Sequence, residues 1–203
     1  MRKAVAAAPC SWKLYHPRAL NVIETSIPGL LVIEPTVFAD ARGYFMETYN
    51  AARFLQMGLG DPFVQDNHSR SARDVLRGLH YQEPNPQGKL VRCTRGALFD
   101  VAVDLRPDSQ SFRKWFGIEL TAENGRGLYV PRGFGHGFLT LADETEVSYQ
   151  ISARFSPPSA RGVRYDDPFL GIRWPAKVEV IAAKDRDCPD VTIGALLELR
   201  ALA

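Results

Sequence analysis

The chain has 203 residues, of which 45% are hydrophobic and 24% are charged, and its formal net charge is +2 at pH 7. This length suffices for one well-formed core, and the composition is ordinary for a globular domain. The small net charge and the absence of a basic run argue against nucleic acid or a membrane surface as a partner. No apolar run reaches the about 20 residues that a membrane-spanning helix requires.

The N-terminal segment and the cysteines indicate the cellular compartment of the protein. Residues 1–24 are expected to be a loosely ordered leader, because their apolar run is too short for a secretion signal. Cys10, Cys93 and Cys188 are odd in number and widely scattered, so they form neither a disulfide framework nor a zinc pattern. A reducing compartment, the cytoplasm, is therefore expected. Residues 25–203 are predicted to form a single domain.

Beyond residue 24, turn-forming residues recur about every ten positions and separate short segments rich in Val, Ile, Leu, Phe and Tyr. Short helices are predicted over 50–57 and 191–202. Strands are predicted over 98–105, 118–120, 127–130 and 146–151. Many short strands within one domain indicate an all-β, double-stranded jelly-roll barrel with a few short peripheral helices.

Segment 98–105 has the clearest strand pattern in the chain. Two sets of side chains alternate along it. They are Phe99, Val101, Val103 and Leu105 on one face, and Asp100, Ala102 and Asp104 on the other. Alternation with a period of two is the pattern of a strand whose two faces have different surroundings.

The most informative segment for function reads Val75-Leu76-Arg77-Gly78-Leu79-His80-Tyr81-Gln82 and is followed by Lys89-Leu90-Val91. It places one imidazole, that of His80, between the cations of Arg77 and Lys89 on segments that read as strands. Such a set can remove a proton from carbon and stabilise the negative charge that results. A histidine without a second one nearby is a poor metal site but a good base.

A second motif lies in the turn Pro131-Arg132-Gly133-Phe134-Gly135-His136. It resembles the second conserved motif of the cupins, which are small β-barrels. The first cupin motif usually supplies His-x-His and a Glu as metal ligands, whereas this chain has Gln82 at the position of the second His. Two imidazoles without a third strong ligand do not favour a metal site, so neither a metal nor another cofactor is expected.

Several longer motifs together resemble the dTDP-4-dehydrorhamnose 3,5-epimerase family, in order from about residue 27 to about residue 189. They are Asp40-Ala41-Arg42-Gly43-Tyr44-Phe45-Met46-Glu47, Gln65-Asp66-Asn67-His68-Ser69, the segments at 76–82 and 129–138, Asp166-Asp167-Pro168, Ile172-Arg173-Trp174-Pro175 and Lys184-Asp185. The resemblance implies a cofactor-free, usually dimeric, cupin-like jelly roll that acts on nucleotide-linked 4-keto-6-deoxy sugars.

The resemblance also implies a role for each catalytic residue. A ketone at C4 acidifies the protons at C3 and C5, so inversion needs a base, a stabiliser of the enolate oxygen and an acid on the opposite face. By similarity, His80 is the base and Asp185 its orienting partner. Arg77 and Lys89 stabilise the oxyanion, and Tyr149 is the acid.

Substrate-binding residues follow from the same resemblance. They are Arg42, Phe45, Glu47, Gln65, Asn67, His136, Phe155 and Lys184. His136 is placed on the side of the diphosphate, and Asp100 is a candidate to orient either His136 or Arg77. The family often has a Tyr that stacks on thymine where this chain has Phe155, and a Glu where it has Ala160. These two departures leave the identity of the base open.

Three other functions remain open from the sequence. They are a C3-only epimerase for an unusual deoxysugar, a cupin module that binds sugar nucleotides without catalysis, and a metal-dependent cupin oxygenase or isomerase. A homodimer is expected, in which an N-terminal strand pairs with the neighbour's sheet edge. Arg42 and Glu47 are candidates to reach into the partner's pocket.

Overall fold

The computed structural model describes residues 20–59 and 62–191. Among these residues, the helices are α1 Ala51–Gln56 and α2 Ala183–Arg186, and a 3-10 turn spans Pro157–Ser159. The strands are β1 Leu20–Glu24, β2 Leu31–Pro35, β3 Phe38–Asp40, β4 Gly43–Phe45, β5 Gln65–Ser71, β6 Val75–Gln82, β7 Lys89–Arg95, β8 Ala97–Asp104, β9 Trp115–Thr121, β10 Gly127–Val130, β11 Phe134–Thr140, β12 Thr145–Ile151, β13 Ala160–Gly162 and β14 Val180–Ile181.

Two sheets form the body of the molecule. The first has the order β1-β2-β10-β7-β12-β5, and the second has the order β13-β6-β11-β8-β9. Their pairings are antiparallel, apart from β14, which pairs parallel with the start of β6. Strands that are distant in sequence lie side by side in both sheets, which is the connectivity of a jelly roll. The predicted fold class is confirmed.

The main core lies between the two sheets. Val91 and Leu128 from the first sheet meet Leu98, Ala102 and Phe138 from the second. Burial of such side chains contributes about 1.5–3 kcal/mol each, so this layer holds the two sheets face to face. Smaller clusters cover the outer face of each sheet, one under α1 and one under the segment that follows β12.

Strand β8 confirms the alternation that its sequence shows. Val101 and Val103 pack in the outer cluster of the second sheet, whereas Ala102 packs in the layer between the sheets. Asp100 and Asp104 share the inner face with Ala102, and both are fully buried. Each therefore needs a polar partner inside the protein.

Helix α1 begins where the sequence predicts. Asn50 adopts an extended conformation, and its side-chain oxygen accepts a hydrogen bond from the Arg53 backbone N–H at 3.2 Å, which is a standard N-cap. Phe54 is buried and packs edge-to-face on Tyr49, with ring centroids 4.9 Å apart. Phe54 also packs in the cluster on the outer face of the first sheet, and this packing fixes α1 against that sheet.

The described residues bear on the leader predicted at the N-terminus and on the helix predicted at the C-terminus. Residues 20–24, predicted to belong to the leader, instead form β1, because Leu20 and Val22 pack against the cluster under α1 while the backbone pairs with β2. Residues 1–19 lie outside the described residues, as does nearly all of the predicted helix at 191–202. Within the described residues, no helix is long and apolar enough to cross a membrane.

Candidate active site

A cavity of about 690 Å³ opens between the two sheets. Its walls are the inward faces of β5, β7 and β12 from the first sheet and of β6 and β11 from the second. Strands β13 and β14 and helix α2 complete the rim. The cavity is large enough for a ligand of the size of a sugar nucleotide.

His80 and Asp185 form a hydrogen-bonded pair in this cavity, although 105 residues separate them in the sequence. His80 Nε2 donates to Asp185 Oδ1 at 2.8 Å, and the backbone N–H of Gly78 donates to Oδ2 at 3.3 Å. Burial is the largest single influence and acts to raise the pKa of Asp185, but the hydrogen bond and charge of His80, the Gly78 N–H and the charge of Lys184 together outweigh it and leave that pKa below its ordinary value. Asp185 is therefore ionised at neutral pH, while 41% of the His80 side chain remains exposed to the cavity.

The position of His80 depends on a close approach of β6 and β11. Gly78 has a φ of +132°, and a Cβ there would lie 2.4 Å from the Cα of Gly137. Glycine is required on both grounds, since a side chain would clash and would strain the backbone. The approach brings His80 directly opposite His136 on the neighbouring strand.

Lys89 projects from β7 into the same region and is buried. Its Nζ donates to the backbone carbonyl of His80 at 3.1 Å. Burial lowers the pKa of Lys89 to about 8, and the negative charge of Asp100 opposes that decrease. A cation held in such a site interacts strongly with negative charge that develops nearby.

Tyr149 and Arg77 complete the set of predicted catalytic residues in the cavity. Arg77 Nε donates to Ser71 Oγ at 3.0 Å, which fixes the guanidinium beside β5. Burial raises the pKa of Tyr149, against the opposing influence of Arg77, so the phenol keeps its proton at neutral pH. Tyr149 lies on the first sheet and His80 on the second, so the two side chains line opposite walls.

His136, predicted to bind substrate on the side of the diphosphate, lines the same cavity as His80. It is buried beside His80, and its Nε2 donates to Asp100 Oδ1 at 2.8 Å. Burial lowers the pKa of His136, and the positive charges of Lys89 and His80 lower it further, although Asp100 opposes them. Its role in binding the diphosphate stays a prediction.

The remaining cavity residues on the first sheet form a polar row along β5. Gln65 Nε2 donates to Asn67 Oδ1 at 2.8 Å, and Gln65 Oε1 accepts from the backbone N–H of Phe155 at 3.2 Å. The ring of Phe155 is exposed at the rim, where the flexible side chain of Lys184 also lies. These four predicted substrate-binding residues are therefore brought together.

Arg42, Phe45 and Glu47 do not line this chain's cavity. They lie on or just after the β3–β4 hairpin, whose strands pair with each other and with neither large sheet. Arg42 is 89% exposed and pairs with Asp40. Glu47 is turned inward, 3.3 Å from Arg53 Nε. The prediction that these residues bind substrate is thus not met within one copy of the chain.

Within residues 20–59 and 62–191, no group of three or more His, Cys, Asp or Glu side chains could hold a metal ion. The Nε2 atoms of His80 and His136 each face a carboxylate, of Asp185 and Asp100 respectively.

A sequence model of the dTDP-4-dehydrorhamnose 3,5-epimerase family matches residues 24–192. The chain belongs to this family.

Individual relatives agree with the family match. The dTDP-4-dehydrorhamnose 3,5-epimerase of Escherichia coli K12 is 46% identical over 91% of this chain and 100% of its own length. The Legionella pneumophila epimerase, solved in complex with dTDP-4-keto-L-rhamnose, superposes with a TM-score of 0.84 at 41% identity, covering 87% of this chain and 96% of that one. A 3'-monoepimerase from Streptomyces bikiniensis, solved with dTDP-quinovose, gives a TM-score of 0.80 at 35% identity, covering 86% and 90%.

Two cavity residues of this family member were not singled out from the sequence. Ser69 follows Gln65 and Asn67 at the same two-residue spacing along β5, so the strand period could have identified it. Arg161 lines the rim next to Ala160, and no local pattern distinguishes it from a solvated charge. Asp100, which the sequence left between two partners, bonds to His136 and not to Arg77.

Proposed function

We propose that this epimerase-family chain inverts C3 and C5 of a dTDP-linked 4-keto-6-deoxyhexose through enolate intermediates. The observation that carries the proposal is the His80–Asp185 pair, which faces a cavity that also contains Lys89, Arg77 and Tyr149. These groups supply the base, the oxyanion stabilisers and the acid that inversion next to a ketone requires.

The base has a defined lone pair. Because Nε2 of neutral His80 donates to Asp185, the proton sits on Nε2 and Nδ1 is left to accept a proton from carbon. The ionised carboxylate of Asp185 then stabilises the imidazolium that forms. In other catalytic histidine–aspartate pairs, too, the histidine accepts the proton and the aspartate orients and stabilises the ring.

The enolate oxygen is stabilised by cations that are already in place. Lys89 is buried and held by the carbonyl of His80, so its charge is oriented before the substrate binds. Arg77 is fixed by Ser71 on the neighbouring wall. Donors positioned in this way do not have to reorganise when negative charge develops on the ketone oxygen.

Reprotonation is assigned to Tyr149, on the wall opposite His80. Removal of a proton by one wall and return of a proton by the other inverts the configuration of the carbon. The raised pKa of Tyr149 keeps the phenol protonated as a donor at neutral pH. The acid and the base therefore differ in kind as well as in position.

The nucleotide is assigned to the rim of the cavity. Lys184 and Arg161 supply positive charge for the diphosphate, and the exposed ring of Phe155 offers a face for stacking on the base. Thymine is the base expected, since the relatives with bound nucleotide sugars contain dTDP. Phe155 preserves stacking but removes the hydroxyl group that a tyrosine would offer.

Inversion at both carbons is favoured over C3 alone. The two 3,5-epimerases described above are 46% and 41% identical to the chain, whereas the 3'-monoepimerase is 35% identical. Deuterium that enters at C3 but never at C5 would instead support the monoepimerase function.

The direct test is exchange of substrate protons with solvent. Incubation with dTDP-4-keto-6-deoxyglucose in deuterated water is expected to introduce deuterium at C3 and C5 of the sugar. NMR or mass spectrometry measures this incorporation. The variant His80→Ala should lose exchange by at least about 10²-fold, because the base is removed. His68→Ala is the matched control, since His68 is an exposed histidine that bonds to Glu146 on the same sheet.

Two other outcomes would contradict the proposal. Tight binding of the nucleotide sugar without exchange would indicate a binding module that lacks catalysis. Exchange that His80→Ala leaves unchanged would remove His80 from the role of base, even if the overall reaction were retained.

A homodimer is part of the proposed function. The β3–β4 hairpin exposes the aromatic side chains of Tyr44 and Phe45 together with the guanidinium of Arg42. Exposed aromatic groups beside an arginine are typical of a surface that another chain covers. We assign the hairpin to the rim of a partner copy's cavity, where Arg42 would meet the diphosphate.

The cytoplasm is the proposed compartment. Cys93 is buried and Cys188 partly buried, and both are free thiols. Unpaired thiols are usual in a reducing compartment.

A further inference from the structure

The cavity contains a second imidazole–carboxylate pair that the proposed reaction leaves without a role. His136 Nε2 donates to Asp100 Oδ1 at 2.8 Å, and the pair lies beside the His80–Asp185 pair on the adjacent strand. Asp100 itself does not line the cavity, being 0% exposed behind His136. Burial of a carboxylate at such a position destabilises the fold unless its charge is paired with another group.

One of the two carboxylate oxygens of Asp100 also lacks a hydrogen bond from the part of the chain that the structure describes. Its Oδ2 atom is buried, and no hydrogen-bond partner for it occurs among the described residues. Buried carboxylate oxygens in that condition are uncommon and destabilise the fold. A residue that only stabilised the barrel would be better replaced by an apolar side chain of similar size, so the charge calls for another explanation.

Lys89 supplies that explanation. It is a buried cation, and within residues 20–59 and 62–191 no carboxylate forms an ion pair with it. The charge that favours its protonated form is that of Asp100, which acts through space against the effect of burial. The buried charge of Asp100 on β8 therefore supports the protonated form of Lys89 on β7.

Asp100 also fixes which nitrogen of His136 carries the proton. A carboxylate at Nε2 requires the proton there, and burial keeps the ring neutral. Nδ1 is then a hydrogen-bond acceptor with no proton of its own. A hydroxyl group of the sugar can donate to it, whereas an anionic oxygen cannot.

We propose that Asp100 is a positioning residue of the reaction, which holds His136 as an acceptor for a sugar hydroxyl and keeps Lys89 charged beside the ketone oxygen. The inference rests on the proposed epimerase function, because it assigns the ketone to the vicinity of Lys89. Asp100 touches neither the substrate nor the reacting atoms and acts through its two neighbours.

The electrostatic surroundings of Lys89 come from several elements. The charged or titratable groups around this part of the cavity are Arg77 and His80 on β6, Asp100 on β8, His136 on β11, Tyr149 on β12 and Asp185 on α2. Asp185 is ionised, but its carboxylate is already paired with His80 through their hydrogen bond. Removal of the Asp100 charge therefore leaves Lys89 among groups that are neutral, positive or already paired.

The experiment compares Asp100→Asn with Asp104→Asn. Both residues lie on the inner face of β8 and are fully buried, but Asp104 bonds to Arg106, Ser109 and Ser111 and does not line the cavity. The control therefore reports the general effect of neutralising a buried carboxylate on this strand. For each variant, kcat is measured by proton exchange across pH 6–10, together with thermal stability.

In Asp100→Asn, the alkaline limb of the kcat profile should move to lower pH by about one unit, because Lys89 loses its proton more readily. In Asp104→Asn the limb should stay where it is in the unmodified protein, even if the melting temperature falls. An unshifted limb in Asp100→Asn, or equal shifts in both variants, would overturn the proposal.

A second measurement does not depend on the stability of a variant. In the ¹⁵N-labelled unmodified protein, NMR should show His136 neutral at pH 7 with its proton on Nε2. A proton on Nδ1, or a charged ring, would overturn the proposal. Failure of the unmodified protein to exchange substrate protons would instead contradict the proposed function, and the two failures are therefore distinguishable.

Discussion

At the scale of single residues, the site is built from pairs in which a buried polar side chain sets the state or the position of a catalytic neighbour. Asp185 determines which nitrogen of His80 is free, and Ser71 fixes the guanidinium of Arg77. Each partner lies away from the reacting atoms yet decides what the catalytic group can do. Loss of such a partner should therefore affect kcat more than substrate binding.

Asp185→Asn tests this expectation directly. The amide keeps the size of the side chain but cannot stabilise the imidazolium, so kcat should fall by about 10³-fold, with a smaller change in KM. Asp187→Asn is the control, since Asp187 follows α2 and pairs with Arg186 on the surface. A comparable loss of activity in both variants would mean that α2 matters only as a structural support.

At the scale of elements, the contact of β6 with β11 brings the two histidines together. Gly78 and Gly137 allow the two backbones to approach, and the register of the strands is irregular between His136 and Phe138. A one-residue shift of either strand would move a histidine to the opposite face. The glycines are thus part of the site, although they carry no functional group.

Gly137→Ala should show the importance of this contact. The added Cβ would lie 2.7 Å from the backbone oxygen of Arg77, so overpacking should destabilise the protein by about 1–3 kcal/mol. Gly88→Ala is a milder comparison, because its Cβ would meet the side-chain oxygen of Ser152 at 3.3 Å. Chemical denaturation of both variants should give the larger loss for Gly137→Ala, and the reverse order would contradict the argument.

At the scale of the whole molecule, the barrel provides the cavity and most of the site, but the strands of the β3–β4 hairpin pair with neither large sheet. The hairpin's residues acquire a function if a second copy of the chain lies beside the first. In that arrangement, each cavity would be completed by a segment that its own chain cannot bring to it.

The dimer and its contribution to the site can be tested together. Light scattering should give twice the chain mass of 22.6 kDa. Arg42→Ala should raise KM for the nucleotide sugar by about tenfold with little change in kcat, because one charge-assisted contact to the diphosphate is lost. Arg73→Ala, which removes an exposed arginine paired with Asp74, is the control. A monomeric mass, or an unchanged KM in Arg42→Ala, would contradict the arrangement.

The sequence by itself determined the jelly roll, because short strands of alternating character separated by turns can bury their apolar faces in few other ways. Helix α1 and strand β10 could be predicted closely, since Asn50 is a strong N-cap and residues 127–130 are bounded by turn signals. The motifs around His80, His136 and Asp185 indicated the family, and the resemblance in turn implied the catalytic residues that the cavity brings together.

The tertiary structure alone decided where His136 and the hairpin residues lie. The motif does not show whether its histidine is exposed or buried, whereas in the folded chain His136 is buried and bonded to Asp100, and burial favours the neutral ring. Likewise, local sequence does not specify whether Arg42 meets its own barrel or another copy. Such properties depend on groups that are distant in the chain, and folding determines their distances, burial and charge.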